Sequence, residues 1–287
     1  MKSKLVVFIL LTATLSLSAQ WKPAGDRLKT RWASQIDVDN VLPEYPRPIM
    51  ERSQWENLNG LWDYAILPVG KQTPTSFDGK ILVPFAVESS LSGVQKRLGS
   101  ENELWYQREF TVPSNWKNNR ILLHFGAVDW KADVWVNDVK VGQHTGGYVP
   151  FSFDVTPALK SGANKMIVKV WDGTDQGYQP RGKQVNNPHG IWYTPVSGIW
   201  QTVWMEPVPE KYIENVKITP DIDKNIINVE AFINQPASSD RIEVKVMEGS
   251  RVVATGQSIN NQPVEVSMPT NPRLWSPNDP FLYDLEV

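Results

Sequence analysis

Short segments in which apolar and polar side chains alternate run through most of this chain. In 134–136 two valines flank Trp135, and in 166–170 three apolar residues alternate with Ile167 and Lys169. Alternation with a period of two is typical of a β-strand with one buried face. Asn137-Asp138 follows the first segment, and both residue types tolerate the positive φ of a tight two-residue turn. We therefore expect antiparallel sheets with one face on a core.

The first two thirds of the chain contain eight or nine such strand signals and no helical period. The predicted strands are 61–67, 80–83, 105–112, 120–125, 131–136, 139–143, 151–155, 165–171 and 200–206. Many short strands separated by turn residues are typical of a sandwich or jelly roll.

A second sandwich is predicted to begin near Tyr212, after a linker marked by Pro207 and Pro209. Its predicted strands are 213–219, 226–233, 241–246, 252–258, 263–268 and 281–287. The alternation is clearest in the third, where Ile242, Val244 and Val246 are predicted to face inward. Six strands over about 75 residues are one fewer than an immunoglobulin-like sandwich has. A core strand as good as 281–287 is not expected at an unprotected edge, so we expect the natural protein to continue.

The N-terminus has the pattern of an export signal. Lys2 and Lys4 precede an uncharged run over 5–17, and small residues in 16–19 suit cleavage before Gln20. The run is too short to span a bilayer. We expect residues 1–19 to be removed and the mature protein to be periplasmic or secreted, without membrane attachment.

The remaining chain divides into three predicted parts. Residues 20–54 form an irregular segment that wraps the first sandwich, because Pro43, Pro46 and Pro48 cannot donate to a ladder. Residues 55–208 form the first sandwich and 212–287 the second, truncated one.

Composition narrows the classes of partner. The chain has no cysteine, so disulfides and a lipid anchor are not expected. Cleavage removes two of the 29 basic residues and none of the 31 acidic ones, which leaves 27 against 31, a formal charge of −4. With no block of like charge, a nucleic-acid partner is not expected. Thirteen tryptophans in an exported β protein favour carbohydrate, because a flat ring packs on the C–H face of a sugar.

Neither metal nor hydrolytic chemistry is predicted from residues 1–287. His124, His144 and His189 are dispersed, whereas a zinc site needs three or four converging ligands. We expect no cofactor. The acids of the first sandwich are interpreted as exposed or as turn formers, with Glu109 on a solvated face and Asp129 and Asp154 accepting local backbone hydrogen bonds. These acids are Glu88, Glu101, Glu103, Glu109, Asp129 and Asp154.

The strongest candidate site is the segment from Asp172 to Gly198, which shows neither strand nor helix pattern. Long segments of this kind are more often functional than idle. In one interpretation Trp192 or Tyr193 stacks on a pyranose while amide and guanidinium groups read its hydroxyls. In the other the loop docks on a following domain. The two uses can coexist, and the candidate residues are Arg181, Gln184, Asn186, Asn187, His189, Trp192 and Tyr193.

Several strings together resemble the non-catalytic N-terminal part of glycoside hydrolase family 2, the family of β-galactosidases, β-glucuronidases and β-mannosidases. They occur in the family's order over about 55–287. The strings are 57–62, 105–113, 123–129, 134–137, 146–151 leading to 154–156, 197–200, and 274–277 followed by 281–283.

The resemblance implies an all-β chain. A jelly-roll, galactose-binding-domain-like sandwich would precede an incomplete immunoglobulin-like sandwich, and a (β/α)₈ barrel would follow. In that family the barrel carries two glutamates that retain anomeric configuration. No repeated strand-helix pattern occurs in 1–287, so no catalytic residue is assigned here. The expected partners are a β-linked glycoside and the C-terminal barrel of the same polypeptide. Assembly into a homo-oligomer is compatible with the resemblance.

Two other functional interpretations are weighed: a free-standing lectin-like module without catalysis, and a purely structural spacer. A lectin would end after a complete domain. Some family members send an acid from the equivalent loop into the sugar pocket, but 187–199 contains none. That departure argues against inherited galactose or glucuronate specificity. Asp172 is the nearest acid, and we predict it to be a turn former.

Overall fold

The computed structural model describes residues 21–25 and 29–287, so the predicted signal peptide lies outside the described residues. Helical structure in the described part is limited to short 3-10 turns, at Arg31–Gln35, Ser90–Ser92, Ser114–Trp116 and Thr156–Ala158. No helix in these two ranges has the length and apolarity needed to cross a membrane. The remaining regular structure is β, which confirms the predicted fold class.

The first sandwich is built from two antiparallel sheets. The four-stranded sheet has the order β1-β12-β5-β9, the six-stranded sheet has the order β3-β2-β4-β10-β7-β8, and β6 pairs with β11. The strands are β1 (Glu56–Asn57), β2 (Gly60–Pro68), β3 (Gly79–Val83), β4 (Asn102–Thr111), β5 (Arg120–Phe125), β6 (Val128–Asp129), β7 (Lys131–Val136), β8 (Val139–Thr145), β9 (Phe151–Asp154), β10 (Ala163–Trp171), β11 (Gly198–Ile199) and β12 (Val203–Val208).

The core of this sandwich lies between the two sheets. Trp62, Tyr106, Phe125, Met166 and Met205 are all fully buried there. Removing such a side chain from water contributes about 1.5–3 kcal/mol. Their positions follow the period of two read from the sequence, so the larger sheet has one face on the core and one face outside.

The predicted hairpin is confirmed in β7–β8. Val134 and Val136 point into the core, while Trp135 lies on the outer face and stacks on Trp105. Asn137 and Asp138 form the turn with φ of 49° and 68°. Positive φ at both central residues is the geometry that matches the twist of paired strands.

The second sandwich has three strands in each sheet, ordered β13-β14-β17 and β16-β15-β18. Ile242, Val244 and Val246 face its core, as predicted. The strand predicted over 281–287 is shorter than expected, since β18 covers only Asp284–Glu286, and Tyr283 and Leu285 pack against the core. The strands are β13 (Ile213–Asp221), β14 (Ile226–Ile233), β15 (Arg241–Glu248), β16 (Arg251–Ile259), β17 (Val264–Ser267) and β18 (Asp284–Glu286).

The connection between the sandwiches is shorter than the two prolines suggest. Pro207 lies within β12 and pairs in register with Ile121. The neighbouring strand β1 pairs only as far as Met205, so one side of β12 is an edge there and tolerates a residue without an N–H. The connection therefore runs over Pro209–Tyr212.

The segment that precedes β1 lies against the first sandwich. Val41 accepts hydrogen bonds from the side-chain amides of Asn57 and Asn59, at 3.0 and 3.1 Å. Asn59 in turn accepts from the backbone N–H of Val203 at 3.0 Å. The segment is thus joined to β12 through a buried asparagine.

Candidate functional site

The candidate loop leaves β10 at Trp171 and returns to the sheet at β11. Asp172 accepts a hydrogen bond from the backbone N–H of Thr174 at 2.7 Å, which confirms its predicted turn-forming role. It also accepts from the Ser197 hydroxyl at 2.8 Å. The backbone N–H of Ser197 donates to Glu88 at 2.9 Å. Both ends of the loop are therefore tied together at its base by buried carboxylates.

Three carboxyl groups, Glu88, Asp129 and Asp172, form an acid cluster at this base. Burial raises the pKa of Glu88 to about 7, and the charge of Asp172 adds to the rise. Burial also raises the pKa of Asp129 to about 7, with further contributions from Asp172 and Glu88. The pKa of Asp172 is raised by burial as well. Near neutral pH the cluster is partly protonated, so its carboxyls can donate as well as accept.

The interpretation of these acids as exposed is wrong for two of them. Glu88 is only 4% exposed, because Ser197 reaches it from a distant part of the sequence. Glu103 is buried too, and Lys169 lies 3.2 Å from its carboxylate. Glu88 is a single charged residue directly after the apolar run 84–87, and this position is the signal that could have indicated its burial. By contrast, the exposed position of Glu109 is confirmed.

The two predicted turn acceptors behave differently. Asp154 accepts from the backbone N–H of Thr156 at 3.0 Å, as predicted. Asp129 instead faces the backbone of the 145–150 loop. A Cβ added to Gly147 would lie 2.5 Å from an Asp129 oxygen, so the absence of a side chain at Gly147 makes room for this carboxylate.

The tip of the loop is a small paired structure that the sequence did not indicate. The Tyr193 N–H donates to Lys183 at 2.9 Å, and the Val185 N–H donates back to Tyr193 at 3.0 Å. The Trp192 N–H donates to His189 at 2.9 Å. These bonds fix the backbone of the tip while its aromatic side chains remain exposed.

The tip aromatics are covered in part by basic residues of the same loop. The Arg181 guanidinium lies 5.5 Å from the Trp192 ring centre, and Trp192 is 36% exposed. Arg181 also donates to the Gln184 carbonyl at 2.9 Å. Lys183 lies 5.9 Å from the ring of Tyr193. The loop thus brings Arg181, Gln184, Trp192 and Tyr193 together, and cation–π contacts help to orient the rings.

The remaining candidates lie apart from this group. Asn186 donates to Gly173 at 3.2 Å and to Asp175 at 2.5 Å, so its amide is engaged at the base of the loop. Asn187 and His189 are exposed, with the Asn187 carbonyl 2.7 Å from a ring nitrogen of His189.

Tyr148 adds a further exposed aromatic ring at the same end of the sandwich. It is 52% exposed, as its position after two glycines predicts, and it packs edge-on against Trp200 at 6.2 Å. Trp200 donates from its indole N–H to Gly147 at 2.7 Å. Burial raises the pKa of Tyr148, and the charges of Asp129 and Asp172 add to the rise.

The arrangement is one of exposed rings beside carboxyl and amide groups. Ring faces suit the apolar side of a sugar, and groups that both donate and accept suit its hydroxyls. Within 21–25 and 29–287, no three His, Asp or Glu side chains converge closely enough to hold a metal ion.

A sandwich that carries a long loop, followed by a second sandwich, defines a two-domain all-β protein. Comparison with known families agrees. The description "Glycosyl hydrolases family 2, sugar binding domain" matches residues 94–209, and "Glycosyl hydrolases family 2" matches residues 211–287. The chain belongs to glycosyl hydrolase family 2, and it comprises that family's sugar-binding and immunoglobulin-like domains.

Curated relatives include a putative β-glucuronidase of Formosa agariphila, 31% identical over 64% of this chain and 22% of the relative. A β-galactosidase of Thermoanaerobacter pseudethanolicus is 29% identical over 64% of this chain and 25% of the relative. The β-glucuronidase of Felis catus is 27% identical over 94% of this chain and 46% of the relative. The chain therefore spans less than half the length of each of these relatives.

A solved β-glucuronidase from Ruminococcus gnavus, in complex with D-glucuronic acid, has the same fold over the matched region. Its TM-score is 0.63 at 21% identity, and the match covers 84% of this chain and 44% of that one. At this identity the likeness concerns the fold alone.

The base of the loop provides a stability test at Gly198. We expect Gly198→Ala to destabilise the protein by about 3 kcal/mol, since a Cβ there would lie 2.1 Å from the Tyr106 hydroxyl at a φ of +90°. Gly162→Ala is the matched control, because its φ is +82° but nothing lies within 4 Å. It should cost about 1 kcal/mol. Urea unfolding followed by tryptophan fluorescence measures both, and equal losses would contradict a steric role for this contact.

Proposed function

We propose that this chain is the N-terminal carbohydrate-binding and scaffolding portion of an exported, retaining exo-β-glycosidase. The observation that carries the proposal is that Tyr148, Trp192 and Tyr193 of the sugar-binding domain expose their rings. Curated relatives of the chain are named β-glucuronidase and β-galactosidase, which are names for enzymes that act on β-linked sugars. Their names support a β-linked glycoside as the ligand class.

In this proposal the acid cluster holds the base of the loop and does not cleave. Retaining hydrolysis needs two carboxyl groups about 5–5.5 Å apart, both facing the scissile bond. Glu88 is buried behind Ser197, so it cannot reach a glycosidic oxygen. The described residues contain no barrel. We assign the cleavage step to a barrel that follows the second sandwich in the full-length enzyme.

The loop from Asp172 to Gly198 is proposed to contact both the sugar and that barrel. Its base is held by buried hydrogen bonds, whereas Trp192 and Tyr193 project outward. A rigid base with exposed aromatic groups is suited to fix a ligand or a neighbouring domain at low cost in entropy. The family's sugar-binding domain supports the first role, and the exposed tip supports the second.

Export is proposed from the leader alone. Lys2 and Lys4, the uncharged run 5–17 and the small residues before Gln20 are the supporting features. N-terminal sequencing of the protein purified from its native host tests the cleavage position, and an intact Met1 on the mature protein would contradict it.

The assignment of cleavage to a following barrel is tested by measuring the hydrolysis of a panel of chromogenic β-glycosides by two proteins. One comprises residues 20–287, and the other is encoded by the full natural reading frame. We expect no turnover from residues 20–287 and turnover of at least one substrate by the longer protein. Turnover by the short form would contradict the assignment of chemistry to a barrel. If the longer protein bound sugars without cleaving any, the lectin-like interpretation would be favoured.

For the loop we expect Trp192→Ala to weaken either the affinity for sugar or the attachment of the following domain. The expected loss is about 2 kcal/mol, roughly 30-fold, because the substitution removes an anchoring ring. Tyr178→Ala is the control, because Tyr178 lies on the same loop and is completely exposed. Titration calorimetry with methyl β-glycosides measures the affinity for sugar. The rate at which a protease releases the two sandwiches from the longer protein measures domain attachment. No change in either property would contradict both proposed roles of the tip.

A further inference from the structure

The last strand of the first sandwich carries a completely buried glutamate. Glu206 lies in β12, and its carboxylate is 2.7 Å from Arg47, 2.5 Å from Arg52 and 2.9 Å from His124. The Tyr45 hydroxyl donates to it at 2.8 Å. Three of these four partners come from the irregular segment before β1. We call residues 45–52 the strap.

Arg52 is the strap residue that also reaches the second sandwich. One of its terminal nitrogens contacts Glu206, and the other donates to the backbone carbonyl of Ile213 at 2.5 Å. The guanidinium also lies 5.8 Å from the ring centre of Tyr212. A guanidinium is a planar, rigid group, so two bonds from its two ends fix the distance between their acceptors. Here one acceptor belongs to each sandwich.

Arg47 provides an internal comparison. It contacts the same carboxylate, but its other hydrogen bonds go to Tyr45 and to the Met50 carbonyl, both within the strap. It touches neither Ile213 nor Tyr212 by any of these bonds. The two arginines therefore share one role in neutralising Glu206 and differ in the bridge to β13.

The strap also lies along the second sandwich beyond this single bond. Residues 48–52 line one side of a groove whose other side includes Ile213 and Val216 of β13. A second ion pair lies at the connection, where Arg120 of β5 pairs with Glu210 at 3.0 Å and with Asp154 of β9 at 2.9 Å. Arg120 and Glu210 are solvent-exposed enough for water and salt to weaken that pair. The pair of Arg52 and Glu206 is less accessible to both, because Glu206 is fully buried and the Arg52 side chain is 19% exposed.

We propose that the strap is a conformational lock in which Arg52 fixes the orientation of the second sandwich on the first. The connection Pro209–Tyr212 is short, but a four-residue connection alone leaves rotation free. Arg52 removes that freedom by holding the first residue of β13 to the last strand of the first sandwich. The lock is independent of sugar binding and of any catalytic domain.

The test is a distance measurement between the sandwiches by pulsed electron paramagnetic resonance. The chain has no cysteine, so Lys117→Cys and Thr255→Cys, both at exposed positions, can be spin-labelled without background. We expect one narrow distance distribution in this parent. Arg52→Lys keeps the charge opposite Glu206 but loses the bridge, and we expect it to widen the distribution at least twofold.

Arg47→Lys is the matched control, and its distribution should keep the parental width. An unchanged width in Arg52→Lys would overturn the proposal, as would equal widening in both variants, because the buried charges would then act without the bridge. Widening in Arg120→Ala together with no change in Arg52→Lys would assign the lock to the exposed pair and also overturn it. Circular dichroism verifies folding of each variant, and if Arg52→Lys does not fold, Arg52→Met, which also loses the bond to the Ile213 carbonyl, replaces it with the same expectation.

Discussion

Replacing Glu206 with glutamine is expected to destabilise the protein by about 3–5 kcal/mol at pH 7. The substitution keeps the shape of the side chain but leaves Arg47 and Arg52 without their shared carboxylate in a buried setting. Breaking a buried ion pair by removing one partner typically has a cost of this size, because the remaining charge stays out of water without compensation. Urea unfolding followed by tryptophan fluorescence measures the loss.

The pH dependence of this network has a definite sign. Despite burial, which acts in the opposite direction, His124, Arg47 and Arg52 together lower the pKa of Glu206 to about 2. A carboxyl with a lowered folded-state pKa contributes stability above its ordinary pKa, near 4.5, and that contribution is lost as the pH falls toward 2. Glu210→Gln is the control, since it removes an exposed partner of Arg120 and should change little. A Glu206→Gln variant as stable as the parent would contradict a structural role for the network.

The sequence predicted the strands and their faces because both depend on local pattern. A period of two placed Val134, Val136 and the valines of β15 correctly on the core side without knowledge of their partners. Turn chemistry did the same for Asn137 and Asp138, whose positive φ is a local preference. Local rules do not explain Pro207, which is tolerated within β12 because the neighbouring strand β1 stops short of it.

The buried charges could not be predicted in this way. Ser197 and Glu88 are 109 residues apart in sequence, and Arg52 and Glu206 are 154 apart. A charged residue is predicted to be exposed unless its partner is known. The partner depends on the packing of loops, and the sequences of these loops have no periodic pattern. The candidate loop shows the same limit. Its residue types predicted an aromatic, polar site, but not that Asn186 would turn inward to Asp175.

The surroundings of Glu206 and those of the acid cluster have opposite effects on the ionisation of the carboxyl groups. At Glu206 a single carboxylate is buried with two guanidinium groups, so ionisation is favoured. At the loop base burial disfavours ionisation of Glu88, Asp129 and Asp172, and the charge of a neighbouring carboxylate adds to this effect for each of them. The first arrangement stabilises the fold at neutral and alkaline pH. The second weakens it there, at the place where the candidate site is anchored.

Stability is therefore expected to fall as the pH rises from 5 to 9, through the acid cluster. Burial raises the pKa of Glu88 from 4.5 to about 7, so between these values the folded protein holds a proton that the unfolded chain releases. A carboxyl with a raised folded-state pKa contributes less stability as pH rises through this window, by about 3 kcal/mol for a shift of this size. Asp129 acts in the same direction. His124, whose pKa is lowered by burial, opposes the trend below pH 6.5.

The contribution of Glu88 is isolated by comparing the parent with Glu88→Gln at each pH. Glutamine can still accept the Ser197 hydrogen bond but cannot ionise, so we expect near-equal stability at pH 5 and a more stable variant at pH 9, by about 3 kcal/mol. The comparison cancels the histidine contribution, which is common to both proteins. Glu109→Gln, at an exposed position on β4, should leave the pH dependence unchanged. Parallel stability curves for the parent and Glu88→Gln would show that ionisation of Glu88 does not loosen the base of the loop.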